Sequence, residues 1–85
     1  MRHRKNARFQ KAFDALPATV RAQAVKSFDL LKQDPSHPSL HFKKLRRYWS
    51  VRVGGGYRAL AVEADDGLVW FWIGSHAEYD RIVGR

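Results

Sequence analysis

Phe9, Ala12, Phe13 and Leu16 are spaced i, i+3, i+4 and i+7 in an otherwise polar stretch. That spacing makes one apolar stripe on a helix with about 3.6 residues per turn. Pro17 breaks the stripe and suits the first turn of a second helix, where its missing N–H is not needed. Val20, Ala24, Phe28 and Leu31, with Val25 beside them, form the second stripe and predict a helix to about Gln33. Asp34-Pro35-Ser36-His37-Pro38-Ser39 stops it. The pair reads as a helical hairpin joined at Leu16-Pro17, with one shared apolar face.

Beyond Ser39 the apolar period falls to about two, the period of a strand. Leu40 and Phe42 alternate with polar residues, and then Trp49, Val51 and Val53 alternate with Tyr48, Ser50 and Arg52. Gly54-Gly55-Gly56 supplies a tight turn and residues 57–63 the next strand. Asp65-Asp66-Gly67 is a second hairpin turn. Residues 68–73 are apolar throughout, which predicts a strand covered on both faces. Gly74-Ser75 ends it, and residues 76–83 read as a short tail or one helical turn. Helix, helix, then three or four strands predicts an α+β fold, with the hairpin on one face of a small antiparallel sheet.

At 85 residues the chain is long enough for one domain, residues 1–85, with a modest core. It has no cysteine, which excludes disulfides and thiolate metal sites. The formal charge is +8, and no acid occurs between Asp34 and Glu63. That interval holds Lys43, Lys44, Arg46, Arg47, Arg52 and Arg58, and a second basic cluster is Arg2, Arg4, Lys5, Arg8 and Lys11. Such concentrations attract polyanions: RNA, DNA, an acidic protein or an anionic lipid all fit the charge. A solvated basic face is the plainer reading of the same residues. No apolar run approaches the ~20 residues of a membrane span, and the basic N-terminus lacks an apolar signal region. The expectation is a cytoplasmic protein with no membrane association.

The layout and several short motifs resemble the RelE/ParE superfamily of type II toxin–antitoxin toxins. Residues 26–45 resemble the family's second helix, its Asp-Pro stop and its approach to the sheet. Tyr48-Trp49-Ser50-Val51-Arg52-Val53 with Tyr57-Arg58-Ala59-Leu60 resembles the family hairpin, and Gly74-Ser75-His76 with Tyr79 resembles its C-terminal ending. The resemblance covers nearly the whole chain and rests on motif order and spacing together. It implies one of two activities: ribosome-dependent mRNA cleavage, as in RelE-like members, or poisoning of DNA gyrase, as in ParE-like members. It also implies a cognate antitoxin as partner, beside the ribosome and mRNA, and leaves a homodimer open. Family members begin with a strand before the first helix. Residues 1–5 are short, basic and not strand-like, so that strand is expected to be missing or reduced to a few residues, leaving an open sheet edge.

RNA cleavage by internal attack needs a base for the 2′-OH, an acid for the 5′-oxygen and a cation for the phosphorane, and no metal or other cofactor. His76 is the first acid–base candidate, since an imidazole titrates near neutrality; a strand-end histidine held by hydrogen bonds is the alternative. Tyr79 could hydrogen-bond the phosphate or stack on a base, or simply pack on the sheet. Arg58 matches the family's third-strand arginine and could grip the phosphate, unless Glu63, Asp65 or Glu78 pairs with it. Arg58, His76 and Tyr79 are therefore the expected catalytic residues. Lys43, Lys44, Arg46, Arg47 and Arg52 are the expected RNA contacts. His41 is a weaker acid–base candidate, and His3 and His37 look incidental. Four scattered histidines do not make a metal site, adjacent Ser75-His76 does not make a nucleophile–base pair, and the glycine triplet joins strands and so is no P-loop. Trp70, Phe71 and Trp72 are either core or a stacking surface. A non-toxic interaction module that keeps the fold is the third reading, suggested by the weak first strand.

Overall fold

The structure is a computed structural model and describes residues 2–84. The elements run β1 (Arg2–Lys5), α1 (Ala7–Asp14), α2 (Ala18–Gln33), a 3₁₀ turn (Pro38–Leu40), β2 (Lys43–Leu45), β3 (Tyr48–Val53), β4 (Tyr57–Ala64), β5 (Gly67–Ser75) and α3 (His76–Val83). The sheet order is β1-β5-β4-β3-β2. β1 and β5 are parallel and the other neighbours antiparallel. The α+β reading holds, with five strands in a mixed sheet where three or four antiparallel ones were expected.

The hairpin forms as its stripes dictate. Asn6 caps α1, its side chain accepting from the Phe9 N–H at 3.0 Å. The buried residues of α2 are Val20, Ala24, Phe28 and Leu31, the four of the predicted stripe, while Val25 is exposed. They pack with Phe9 and Leu16 against Val51, Val53, Ala59, Ala61, Leu68, Trp70 and Ile73 of the sheet. Phe28 meets the rings of Phe9 and Trp70 edge-on, at 5.7 and 5.0 Å between centroids.

The other face has its own core. Residues 76–83 form a full helix, longer than the expected tail or single turn. A capping box starts it: the Glu78 N–H donates to the Ser75 hydroxyl, and the Ser75 N–H donates back to the Glu78 carboxylate. Tyr79 and Val83 of α3 then pack on Leu60 and Trp72. So β5 is covered on both faces, but by helices from both ends of the chain.

The first strand is reduced to four residues and is present. Its N–H and C=O groups pair with β5 in the register Arg2↔Gly67 to Lys5↔Trp70. The Trp70 indole donates to His3 Nδ1 at 3.0 Å, and Asp66 lies 3.6 and 3.2 Å from the guanidinium groups of Arg2 and Arg4. A Cβ on Gly67, whose φ is +154°, would sit 2.0 Å from the Arg2 backbone, so glycine is what lets β1 close on β5. The edge expected to be open at β5 is thus covered, and the outer edges are β1 and the three-residue β2.

Candidate active site

β4 alternates its side chains between the two faces. Ala59 and Ala61 face the hairpin, while Leu60 faces α3. Arg58 falls in phase with Leu60, and with Ser50 and Arg52 of β3 across the register. It is 5% exposed. Its Nε donates to the buried Ser50 hydroxyl at 2.8 Å and its Nη2 to the His41 carbonyl at 3.2 Å. The guanidinium lies 4.9 Å from the centre of the Tyr79 ring. His41 reaches this position in the left-handed region (φ 44°), uncommon for a residue with a Cβ. Two of the three carboxylates expected as partners for Arg58 are engaged elsewhere: Glu63 by Trp49 and Lys44, Glu78 by Ser75.

His76 is the first residue of α3 and its side chain is 55% exposed. Its N–H donates to the Gly56 carbonyl at 2.9 Å, which ties the helix start to the β3–β4 turn. Its Nδ1 lies 3.3 Å from Asp80 Oδ2, one helical turn on. The ring stands edge-on to Tyr79, 5.5 Å between centroids. Gly74 makes room beneath: a Cβ there would meet the Trp72 ring at 2.4 Å.

His41, Arg52, Tyr57, Arg58 and His76 line one cleft at this end of the sheet. Arg52 sits directly opposite Arg58 in the register, its Nε donating to the Gly54 carbonyl at 3.0 Å. Two arginines side by side repel unless an anion lies between them. A guanidinium pair beside an imidazole can hold a phosphodiester and move protons at it.

Of the eight expected residues, Arg52, Arg58 and His76 line this cleft. Tyr79 is 1% exposed, and its ring supports Arg58 and borders His76 from within the core. Its hydroxyl is buried and hydrogen-bonds to nothing among the described residues. Lys43 pairs with Ser50 across β2–β3 and shares the cleft's side of the sheet. Lys44 points to the hairpin side, 3.1 Å from Glu63, whose carboxyl is held below its ordinary pKa by the Trp49 indole N–H and then by Lys44. Arg46 and Arg47 lie in the β2–β3 turn, at the far end of β3 from Arg52, beside the end of α3. Ser50, Asp80 and the His41 carbonyl were not expected at the site. Ser50 was legible as the residue in phase with Arg52, and Asp80 as the residue at i+4 from His76, had a helix been read there.

The ParE-like toxin domain model matches residues 18–81. The chain belongs to the ParE-like toxin domain family. Solved structures of RelE toxins share its fold. A chain of the RelB–RelE antitoxin–toxin complex from Methanococcus jannaschii superposes with a TM-score of 0.69 at 19% identity, covering 92% of this chain and 96% of that one. The isolated RelE toxin of E. coli gives 0.62 at 19%, covering 98% and 95%. The RelBE2 toxin–antitoxin complex from Mycobacterium tuberculosis gives 0.64 at 20%, covering 87% and 95%. No curated protein sequence matches the chain significantly. The family thus spans both the hairpin side and the cleft side of the sheet, and no helix among the described residues is long and apolar enough to cross a membrane.

Proposed function

We propose that this family member is the toxin of a type II toxin–antitoxin module and a ribosome-dependent mRNA endonuclease. The observation that carries the reading is that Arg58 and His76 line the same cleft. Cleavage there would be metal-independent. His76, beside Asp80, takes the 2′-OH proton as O2′ bonds to phosphorus, and water gives a proton to the 5′-oxygen as the P–O5′ bond breaks. Arg58 is already fixed by Ser50, His41 and Tyr79, so its charge meets the phosphorane without reorganising. Tyr79 is a positioning residue that acts through its ring. Arg52 and Lys43 draw the phosphate backbone in. Arg46 and Arg47 contact RNA farther along, while Lys44, on the opposite side of the sheet and paired with Glu63, takes no part at the cleft. The partner in the resting cell is a cognate antitoxin, as in the antitoxin–toxin complexes that share the fold.

The test is expression of the chain without its neighbour, with growth and primer extension on a reporter mRNA as readouts. Wild type is expected to block translation and cut the message. His76→Ala and Arg58→Ala are expected to lose about a hundredfold or more of the cleavage rate, with circular dichroism unchanged. Exposed His76 carries the test should the buried arginine prove necessary for folding. Full cleavage by both variants removes the assignment.

A second reading is inhibition of DNA gyrase, favoured by the family model being the ParE-like one. Loss of supercoiling in vitro with no RNA cut would select it. The third reading, a non-toxic module, rested on a weak first strand; β1 is in place, and that motive goes with it.

A further inference from the structure

α3 covers only part of its face of the sheet, and what it leaves open is built as a row of rings and cations. Leu60 pairs with Trp72 and Ala61 with Trp70, so Phe71 is the extra residue of a β-bulge. The bulge turns two consecutive rings, Phe71 and Trp72, to the α3 side, while Trp70 stays in the hairpin core. Phe71 lies 5.7 Å from the Tyr48 ring. The Arg8 guanidinium is over Phe71 at 5.5 Å and the Arg47 guanidinium over Tyr48 at 5.4 Å. Asn6 and Val62 complete the depression. The arginines are exposed and the rings half-buried. Among the described residues neither arginine has a carboxylate within ion-pair distance. The rings rest on the core beneath α3, which fixes them in place.

We propose that the row Arg8–Phe71–Tyr48–Arg47 is a stacking platform for single-stranded nucleic acid, a second site separate from the cleft. Unpaired bases stack on aromatic rings and on guanidinium planes alike, and arginines between them neutralise the phosphates. Charge alone would serve an acidic protein equally well. The alternation of planar cation and ring is what favours bases. Arg52 and Tyr48 are four residues apart on β3, roughly 13 Å at strand rise, and α3 lies between the two sites. A ligand touching both must therefore be longer than a dinucleotide. The platform does not depend on the cleavage chemistry proposed above.

Binding of a labelled oligouridine of about ten nucleotides, a length suited to one small domain, tests this by fluorescence anisotropy across a salt series. The full chain carries His76→Ala so that the probe survives. Tyr48→Leu with Phe71→Leu is expected to weaken binding about tenfold or more with the salt slope unchanged. Arg8→Gln with Arg47→Gln is expected to weaken binding and flatten the slope. Tyr48→Phe should bind as the parent does. Unchanged affinity after ring removal overturns the platform. So does equal affinity for a polyglutamate peptide, which would make the surface a docking site for an acidic protein. If the double ring variant does not fold, Tyr48→Leu and Arg8→Gln singly decide the same question. Cleavage of the probe by the His76→Ala chain would instead overturn the role given to His76 and leave the platform standing.

Discussion

Arg58 and Tyr79 show how far a single residue can be understood from its neighbours. The alternation of β3 made the side of Arg52 legible, in phase with Ser50 and Tyr48, and the β3–β4 register places Arg58 on that side too. The burial of Arg58 was not legible, because that depends on α3 laying Tyr79 against it. The Tyr79 hydroxyl shares that burial without a hydrogen bond among the described residues, a state that costs about 1–3 kcal/mol. Tyr79→Phe keeps the ring under Arg58 and removes the stranded group. Urea denaturation is expected to show equal or higher stability, by up to about 1 kcal/mol, with cleavage retained. Lost cleavage in a folded Tyr79→Phe chain would give the hydroxyl a chemical role and contradict the positioning one.

At the scale of elements, periodicity succeeded where one face of an element is buried and failed where pairing or capping decides. The stripes of α1 and α2 and the alternation of β3 were read from spacing alone. β1 carries no apolar alternation; it is a strand because β5 offers it a ladder, Trp70 and Asp66. α3 is only eight residues long and buries just Tyr79 and Val83, too short a stripe to stand out, although the Ser75 and Glu78 spacing of its capping box was there to be read. One consequence is a pH dependence of β1. Burial first, then nearby positive charges including Lys32 and Lys5, lowers the His3 pKa. The unfolded chain therefore takes up that proton more readily. The His3 contribution is fully present above about pH 6.5 and is lost as pH falls through the lower folded value. Protonation also removes the acceptor for the Trp70 indole. Denaturation midpoints are expected to drop between neutral and about pH 5, and His3→Gln is expected to shrink that drop. An identical drop in the variant would place the titration elsewhere.

Over the whole molecule, one sheet joins two cores, and Phe28 stands where α1, α2, β1 and β5 meet. It touches Phe9 and Trp70, with Lys5 over its ring at 4.9 Å. Phe28→Ala should cost about 3–5 kcal/mol, a large share of the roughly 4–13 kcal/mol available to a domain of this size. Calorimetry is expected to show a strongly lowered transition, still single, because the hairpin core and the α3 core share β4 and β5. Two separate transitions would show that they melt independently. The sequence by itself determined the hairpin, the central strands, the basic character and the phase of Arg52, since each follows from local spacing and side-chain type. Only the tertiary structure decided that β1 pairs, that α3 roofs the second face, that Tyr79 lies buried under Arg58, and that Lys44 faces away from the cleft. Those outcomes depend on contacts between segments distant along the chain, and such contacts leave no period in it.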